Sequence, residues 1–199
     1  RITAEHSYGS TWYTWPFMIR PIYYWNKANA NNQPLTKEIQ PQESKEVEPL
    51  PATSSRIYFL GNPVIWWAST VAMFYLLLTV AGSICRLAMS ARLQLADIAS
   101  RQVGQSNWVN WFLGGAFLLN LLPFIGIKRA MFLYHYLVGL IFAIIALVYL
   151  LDQLPNKKRV FIALLAVSIA AFIFFMPLTY GLPLTEKSYN FRVWLQTWL

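Results

Sequence analysis

The apolar positions of this chain gather into four long blocks, residues 64–85, 108–127, 131–151 and 160–180, and no Asp, Glu, Lys or Arg interrupts any of them. A helix needs about 20 predominantly apolar residues to cross a bilayer, whereas helices of soluble domains average about 11–12. A soluble bundle of such helices would also carry a polar stripe on each, and these blocks are apolar all round. The pattern predicts an all-α integral membrane helical bundle with four transmembrane helices.

Polar punctuation supplies the helix ends. Asn62-Pro63 offers an N-cap followed by proline at the first helical position. Trp108 and Trp111 head the second block, Pro123 falls near its end, and Gly126-Ile127-Lys128-Arg129 forms a tight turn into the third. Asp152-Gln153-Leu154-Pro155 closes the third, and Lys157-Lys158-Arg159 introduces the fourth. Residues 1–25 are rich in Trp and Tyr, which favour the headgroup level of a membrane. They predict an external interfacial aromatic segment. Residues 26–56 are dominated by Asn, Gln, Pro, Glu, Lys and Ser. So little apolar surface cannot offset the entropy of ordering, and a mobile polar loop is expected. The chain divides into 1–25, 26–56 and 57–199, the last ending in an interfacial tail with Trp194 and Trp198.

Composition refines this. Charged residues make up 12% of the chain, about half the share usual in a soluble domain. The net charge of +8 is spread over loops, without the basic stripe of a nucleic-acid binder. Arg86, Arg92, Arg101, Lys157, Lys158 and Arg159 share one side of the bundle, which the positive-inside rule makes cytoplasmic. The aromatic segment, the Lys128-Arg129 turn and the tail then share the opposite face. Cys85 is the one cysteine and has no disulfide or metal-ligand partner. The chain starts at Arg1 without an initiator Met, and is expected to be the C-terminal piece of a longer protein.

Candidate chemistry is sparse. Asp97 and Asp152 fall on the cytoplasmic side, and four glutamates lie in the polar loop, which leaves Glu5 and Glu186 on the outer face. No paired carboxylates appear for general acid–base work, no His/Cys cluster for a metal, and no phosphate-binding glycine loop. No catalytic residue, metal or cofactor is therefore expected in this chain itself. Two places suit an anion. Helical spacing through the third block puts Lys128, Phe132 and His135 on one stripe, with His135 about 10 Å below Lys128. Either His135 faces a ligand cavity, or it bonds a neighbouring helix while Lys128 and Arg129 mark the interface. The second place is Asn62-Pro63, where the Val64 and Ile65 N–H groups open a helix. That end either takes an anion or is an ordinary cap.

Several strings resemble one family. Ser7-Tyr8-Gly9-Ser10-Thr11-Trp12-Tyr13-Thr14-Trp15-Pro16 and Arg20-Pro21-Ile22-Tyr23-Tyr24 resemble an external loop of prokaryotic protein O-mannosyltransferases. Leu60-Gly61-Asn62-Pro63-Val64-Ile65-Trp66-Trp67 resembles the start of the next span. Leu122-Pro123-Phe124 and Arg129-Ala130-Met131-Phe132-Leu133-Tyr134-His135-Tyr136 resemble a following helix pair. The family often carries His-His-Tyr where this chain has Tyr134-His135-Tyr136. The resemblance is to the C-terminal four-span region of dolichyl-phosphate-mannose–protein mannosyltransferases, glycosyltransferases of the GT-C type.

That resemblance implies transfer of mannose from a polyprenyl-phosphate carrier to Ser or Thr hydroxyls of an acceptor protein, on the non-cytoplasmic face. It implies a catalytic acidic motif upstream of Arg1, so this piece alone is expected to be inactive. It also places Arg129, Arg20, His135, Tyr136, Asn62 and Trp15 at the carrier phosphate or lining the active site. Eukaryotic members insert β-trefoil repeats where this chain has only its polar loop, which implies a bacterial inner-membrane protein. Two other readings stay open: a related carrier-lipid transferase moving aminoarabinose or another sugar to a glycolipid, and a non-catalytic multi-span scaffold or transporter subunit.

Overall fold

A computed structural model describes residues 9–28, 53–92, 108–127 and 129–198. Four long helices form the bundle: α1 (Pro63–Arg92), α2 (Trp108–Leu121), α3 (Leu137–Asp152) and α4 (Lys157–Tyr180). Among the described residues three helical stretches, Pro63–Arg86, Leu133–Asp152 and Lys157–Tyr180, are long and apolar enough to cross a membrane, and the apolar stretch Trp108–Phe124 is shorter. The second block is cut short by Pro123, which cannot donate to a helical ladder. The chain passes there into a 3-10 turn, Leu122–Phe124. The chain is a multi-pass membrane protein.

Small residues set the packing of α3. Gly139, Ala143 and Ala146 are all buried on one face, and spacings of four and three residues let the backbone of a neighbour approach closely. A methyl group on Gly139 would already lie 3.3 Å from the Tyr136 ring, and one on Gly114 of α2 3.2 Å from Leu77 of α1. By contrast, only 17% of the most apolar window of α4 is buried. Its outer face is left for lipid or for further protein.

The sequence predicts no strands, yet a three-stranded antiparallel sheet caps one end of the bundle. It comprises β1 (Ile22–Ala28), β2 (Thr53–Phe59) and β3 (Leu184–Thr185), with β2 central. Ile22 pairs with Phe59 and Ala28 with Ser54, across a bulge between Tyr23 and Trp25, and Thr53 pairs with Thr185. The aromatic and β-branched residues of these segments are strand formers as well as interfacial residues, and pairing decides between the two roles. β1 runs across the expected boundary at residues 25 and 26, and β2 across that at 56 and 57. Most of the polar loop lies outside the described residues, but the strands join its two ends.

α4 is tied to this cap at its last turns. Gly181 ends the helix with φ of 68°, and a methyl group there would stand 2.7 Å from Ile57 of β2. Both the left-handed backbone and the close approach require glycine. Pro177 interrupts the ladder of α4. Nearby, Arg192 of the short helix α5 (Glu186–Arg192) donates from Nε to the Phe174 carbonyl at 2.8 Å. The tail then returns to the N-terminal segment, with Trp198 Nε1 donating to the Met18 carbonyl at 3.0 Å.

Candidate functional site

The sheet end of the bundle gathers the N-terminal segment, the connection between α2 and α3, and the tail. Residues Trp12–Phe17 form a 3-10 helix. The structure corrects its expected place on the membrane surface at Trp15, which is fully buried by protein. Tyr13, Phe17, Tyr24 and Trp25 remain exposed. Trp15 Nε1 donates to Ser10 Oγ at 2.9 Å, and the Ser10 N–H donates to the Met131 carbonyl at 2.8 Å. The Trp15 carbonyl in turn accepts from Trp66 Nε1 at 2.9 Å. Trp15 thus joins the N-terminal segment to α1 and to the α2–α3 connection.

The helical stripe expected from Lys128 through His135 does not exist. Phe132 is extended, residues Leu133–Tyr136 form a 3-10 turn, and α3 begins only at Leu137. Lys128 lies outside the described residues. The physical reason is local: the His135 ring folds back on the backbone of Phe132, with Nδ1 2.9 Å from its carbonyl oxygen and 3.2 Å from its nitrogen. A side chain that serves the N-terminus of a turn in this way stops a helix from starting earlier.

His135 sits within a column of rings. Tyr134 stacks on one side at 4.4 Å, Trp15 on the other at 5.8 Å, and Phe124 meets it edge-on at 5.5 Å. Exposure rises along the column, from buried Trp15 through half-buried His135 to exposed Tyr134. Nδ1 either accepts from the Phe132 N–H or donates to the Phe132 carbonyl, and Nε2 takes the complementary role of donor or acceptor. Nε2 makes no hydrogen bond to a described residue.

Two arginines lie on the segments that build this end of the bundle. Arg129 is exposed in a bend, and among the described residues it makes no ion pair or hydrogen bond. Arg20 is exposed and donates from Nη1 to the Gly9 carbonyl at 3.2 Å. Gly9 adjoins Ser10, which is bonded to Met131, two residues beyond Arg129. The Ser10–Met131 bond therefore joins two segments that carry cations 109 residues apart in the sequence, one of which also bears His135. A guanidinium presents forked donors suited to a phosphate.

The other expected site residues support this arrangement from behind. Tyr136 is buried between Trp66 and Phe117. Its hydroxyl lies near that of Thr70 but makes no hydrogen bond of good geometry to a described residue. Asn62 is the predicted cap, and its Oδ1 accepts from the Val64 and Ile65 N–H groups at 3.1 and 3.4 Å. Those donors are therefore occupied, and of the two readings of this helix end the geometry is that of an ordinary cap. Asn62 Nδ2 reaches across to the Ser168 carbonyl of α4 at 2.8 Å.

A second polar cluster was not expected. Arg56 pairs with Glu186 at 2.6 Å and lies 3.9 Å above the Tyr189 ring. The Tyr189 hydroxyl shares a 2.5 Å hydrogen bond with that of Tyr58. Burial, and then that hydrogen bond, push the Tyr58 phenol well above its ordinary value. These partners lie 130 and 131 residues apart, and no local pattern announces them. Glu186, one of two acidic residues expected on this face, is thereby committed to an ion pair.

Comparison with known proteins decides the family. A model described as the C-terminal four TMM region of protein-O-mannosyltransferase matches residues 1–198. The chain belongs to the protein O-mannosyltransferase family. It is 30% identical over 219 residues to dolichyl-phosphate-mannose–protein mannosyltransferase 1 of Saccharomyces cerevisiae, covering 99% of this chain and 22% of that protein. It is 31% identical to protein O-mannosyl-transferase 1 of Mus musculus, covering 89% and 22%. The solved structure of the S. cerevisiae protein O-mannosyltransferase Pmt1–Pmt2 complex bound to the sugar donor superposes with a TM-score of 0.64 at 26% identity, over 98% of this chain and 24% of the matched one. This mannosyltransferase-family chain thus spans about a fifth of the length of the curated relatives it matches. The resemblance read from Trp15, Asn62, Arg129 and His135 is borne out at the level of the family.

Proposed function

We propose that this chain forms the carrier-lipid side of a membrane mannosyltransferase that moves mannose from a polyprenyl phosphate to Ser or Thr hydroxyls of acceptor proteins. In this reading Arg129 and Arg20 hold the carrier phosphate, and His135 Nε2 hydrogen-bonds a sugar hydroxyl or, as N–H, donates to a phosphate oxygen. The sheet end faces away from the cytoplasm, in a bacterial inner membrane. The observation that carries the reading is the Ser10 N–H to Met131 carbonyl bond, which holds the segment bearing exposed Arg20 against the segment bearing exposed Arg129 and His135. Family membership supports the reaction class. Among the described residues Glu186 is bound to Arg56, in keeping with a catalytic carboxylate supplied by another part of a longer protein.

The test is mannosyl transfer by the full-length protein across a carrier-lipid titration. A charge-assisted hydrogen bond stabilises by about 1.5–3 kcal/mol, so Arg129→Ala is expected to weaken carrier binding or slow transfer by about ten- to a hundred-fold. Arg129→Lys should recover part of this, since a point charge cannot reproduce the fork. An unchanged maximal rate together with an unchanged half-saturating carrier concentration in Arg129→Ala would make the arginine an interfacial anchor and remove the proposal.

A further inference from the structure

At the opposite end of the bundle, the turn between α3 and α4 combines uncompensated charge with an apolar cleft. Lys157, Lys158 and Arg159 open α4 and are all exposed, and no acidic residue occupies that first turn. They stand at the positive end of the helix macrodipole, which disfavours cations. Asp152 compensates Lys157 through a 2.7 Å ion pair. Lys158 and Arg159 form no ion pair with a described residue.

Beside this turn, α1, α3 and α4 part around an apolar groove of about 770 Å³. Val71, Ala72, Leu147, Leu151, Val160 and Leu164 contribute to its walls. A smaller depression of about 220 Å³ adjoins the same turn, where Val148, Leu151 and Phe161 meet Asp152, Lys157 and Lys158. Pockets that hold small ligands measure about 300–1,000 Å³, so the groove has the size to take a chain and not merely a methyl group. An apolar helix seated there would leave both free cations unbalanced. Lys158 borders the smaller depression, which shares Leu151 with the groove, and Arg159 adjoins Val160 of the groove wall, so an anionic amphiphile lying across both satisfies the groove and the charges together.

We propose that the α3–α4 turn binds an anionic phospholipid from the leaflet on that side, with its phosphate on Lys158 and Arg159 and an acyl chain in the groove. Each basic residue near an anionic surface is worth about five-fold in partition. Two acting together give an expected preference of at least about ten-fold over a zwitterionic lipid. The site lies at the far end from Arg129, so it does not rest on the carrier-lipid reading.

Native mass spectrometry of the full-length protein, titrated with phosphatidylglycerol or with phosphatidylcholine of the same acyl chains, tests this. The native protein is expected to retain phosphatidylglycerol at least about ten-fold more tightly. The Lys158→Gln/Arg159→Gln variant should bind both lipids alike, and the Lys158→Arg/Arg159→Lys variant should keep the preference, with unchanged helix content in each. Leu147→Trp, which fills the groove, should weaken both lipids. Equal retention of the two lipids by the native protein would overturn the proposal, whether because nothing binds or because a further protein segment fills the groove. So would an undiminished preference in the Gln variant, or competition by glycerol phosphate as effective as by the lipid, which would mark a free-anion site.

Discussion

Gly61 measures how tightly the sheet end is built. A methyl group there would lie 2.3 Å from Cε3 and 2.7 Å from Cζ3 of Trp66. Comfortable carbon–carbon separations are about 3.5–4.0 Å, so the indole or the backbone must move by about 1 Å. Trp66 has little room to do so. It is 3% exposed, its Nε1 is bonded to the Trp15 carbonyl, and its ring lies 5.5 Å from that of Tyr136. Overpacking costs about 1–3 kcal/mol, and a disturbed buried hydrogen bond adds about 1 kcal/mol. Gly61→Ala is thus expected to lose about 2–4 kcal/mol, which for a chain of this size lowers the unfolding temperature by roughly 5–15 °C. Thermal unfolding in detergent, followed by near-ultraviolet circular dichroism, reads both the loss and the altered indole packing. Gly115→Ala is the control: no atom stands within 4 Å of its added methyl group, and alanine in a helix interior gains up to about 1 kcal/mol. If Gly61→Ala unfolds no lower than the native chain, the Trp66–Trp15 junction is not the constraint described above.

Two further outcomes follow from buried hydroxyls. Tyr136→Phe removes a buried hydroxyl that makes no hydrogen bond of good geometry to a described residue, so the unfolding temperature should stay the same or rise, by up to about 1–3 kcal/mol of stability. A clear drop would mean that the hydroxyl is bonded in the working protein. Tyr58 has a raised pKa, so the folded chain keeps a proton that the unfolded chain releases above about pH 10. Its contribution is complete below that pH and falls by about 1.4 kcal/mol per pH unit above it, until the folded value is reached. Tyr58→Phe should flatten the alkaline limb of a stability-versus-pH curve. An unaltered limb would show that Tyr58 titrates normally.

The spans were legible because the bilayer acts on each segment by itself. A charge-free block of about 20 residues has one low-energy place whatever its neighbours do. The Asn62 cap was equally local, since Oδ1 serves the residues two and three further along its own chain. Family membership could be read for a related reason: the strings around Trp15, Asn62, Arg129 and His135 run in order along the chain. What the sequence could not disclose was pairing across distance. Aromatic residues 22–25 suit a membrane surface and a strand alike, and only the pairing of Ile22 with Phe59 selects the strand. The stripe from Lys128 to His135 failed because helical periodicity presumes a helix, and the His135 ring spends its Nδ1 on the Phe132 backbone. The Arg20 segment joined to the Arg129 segment, Arg56 on Glu186, and Trp15 inside the fold all depend on contacts between distant segments. Such contacts follow from packing, which no local spacing encodes.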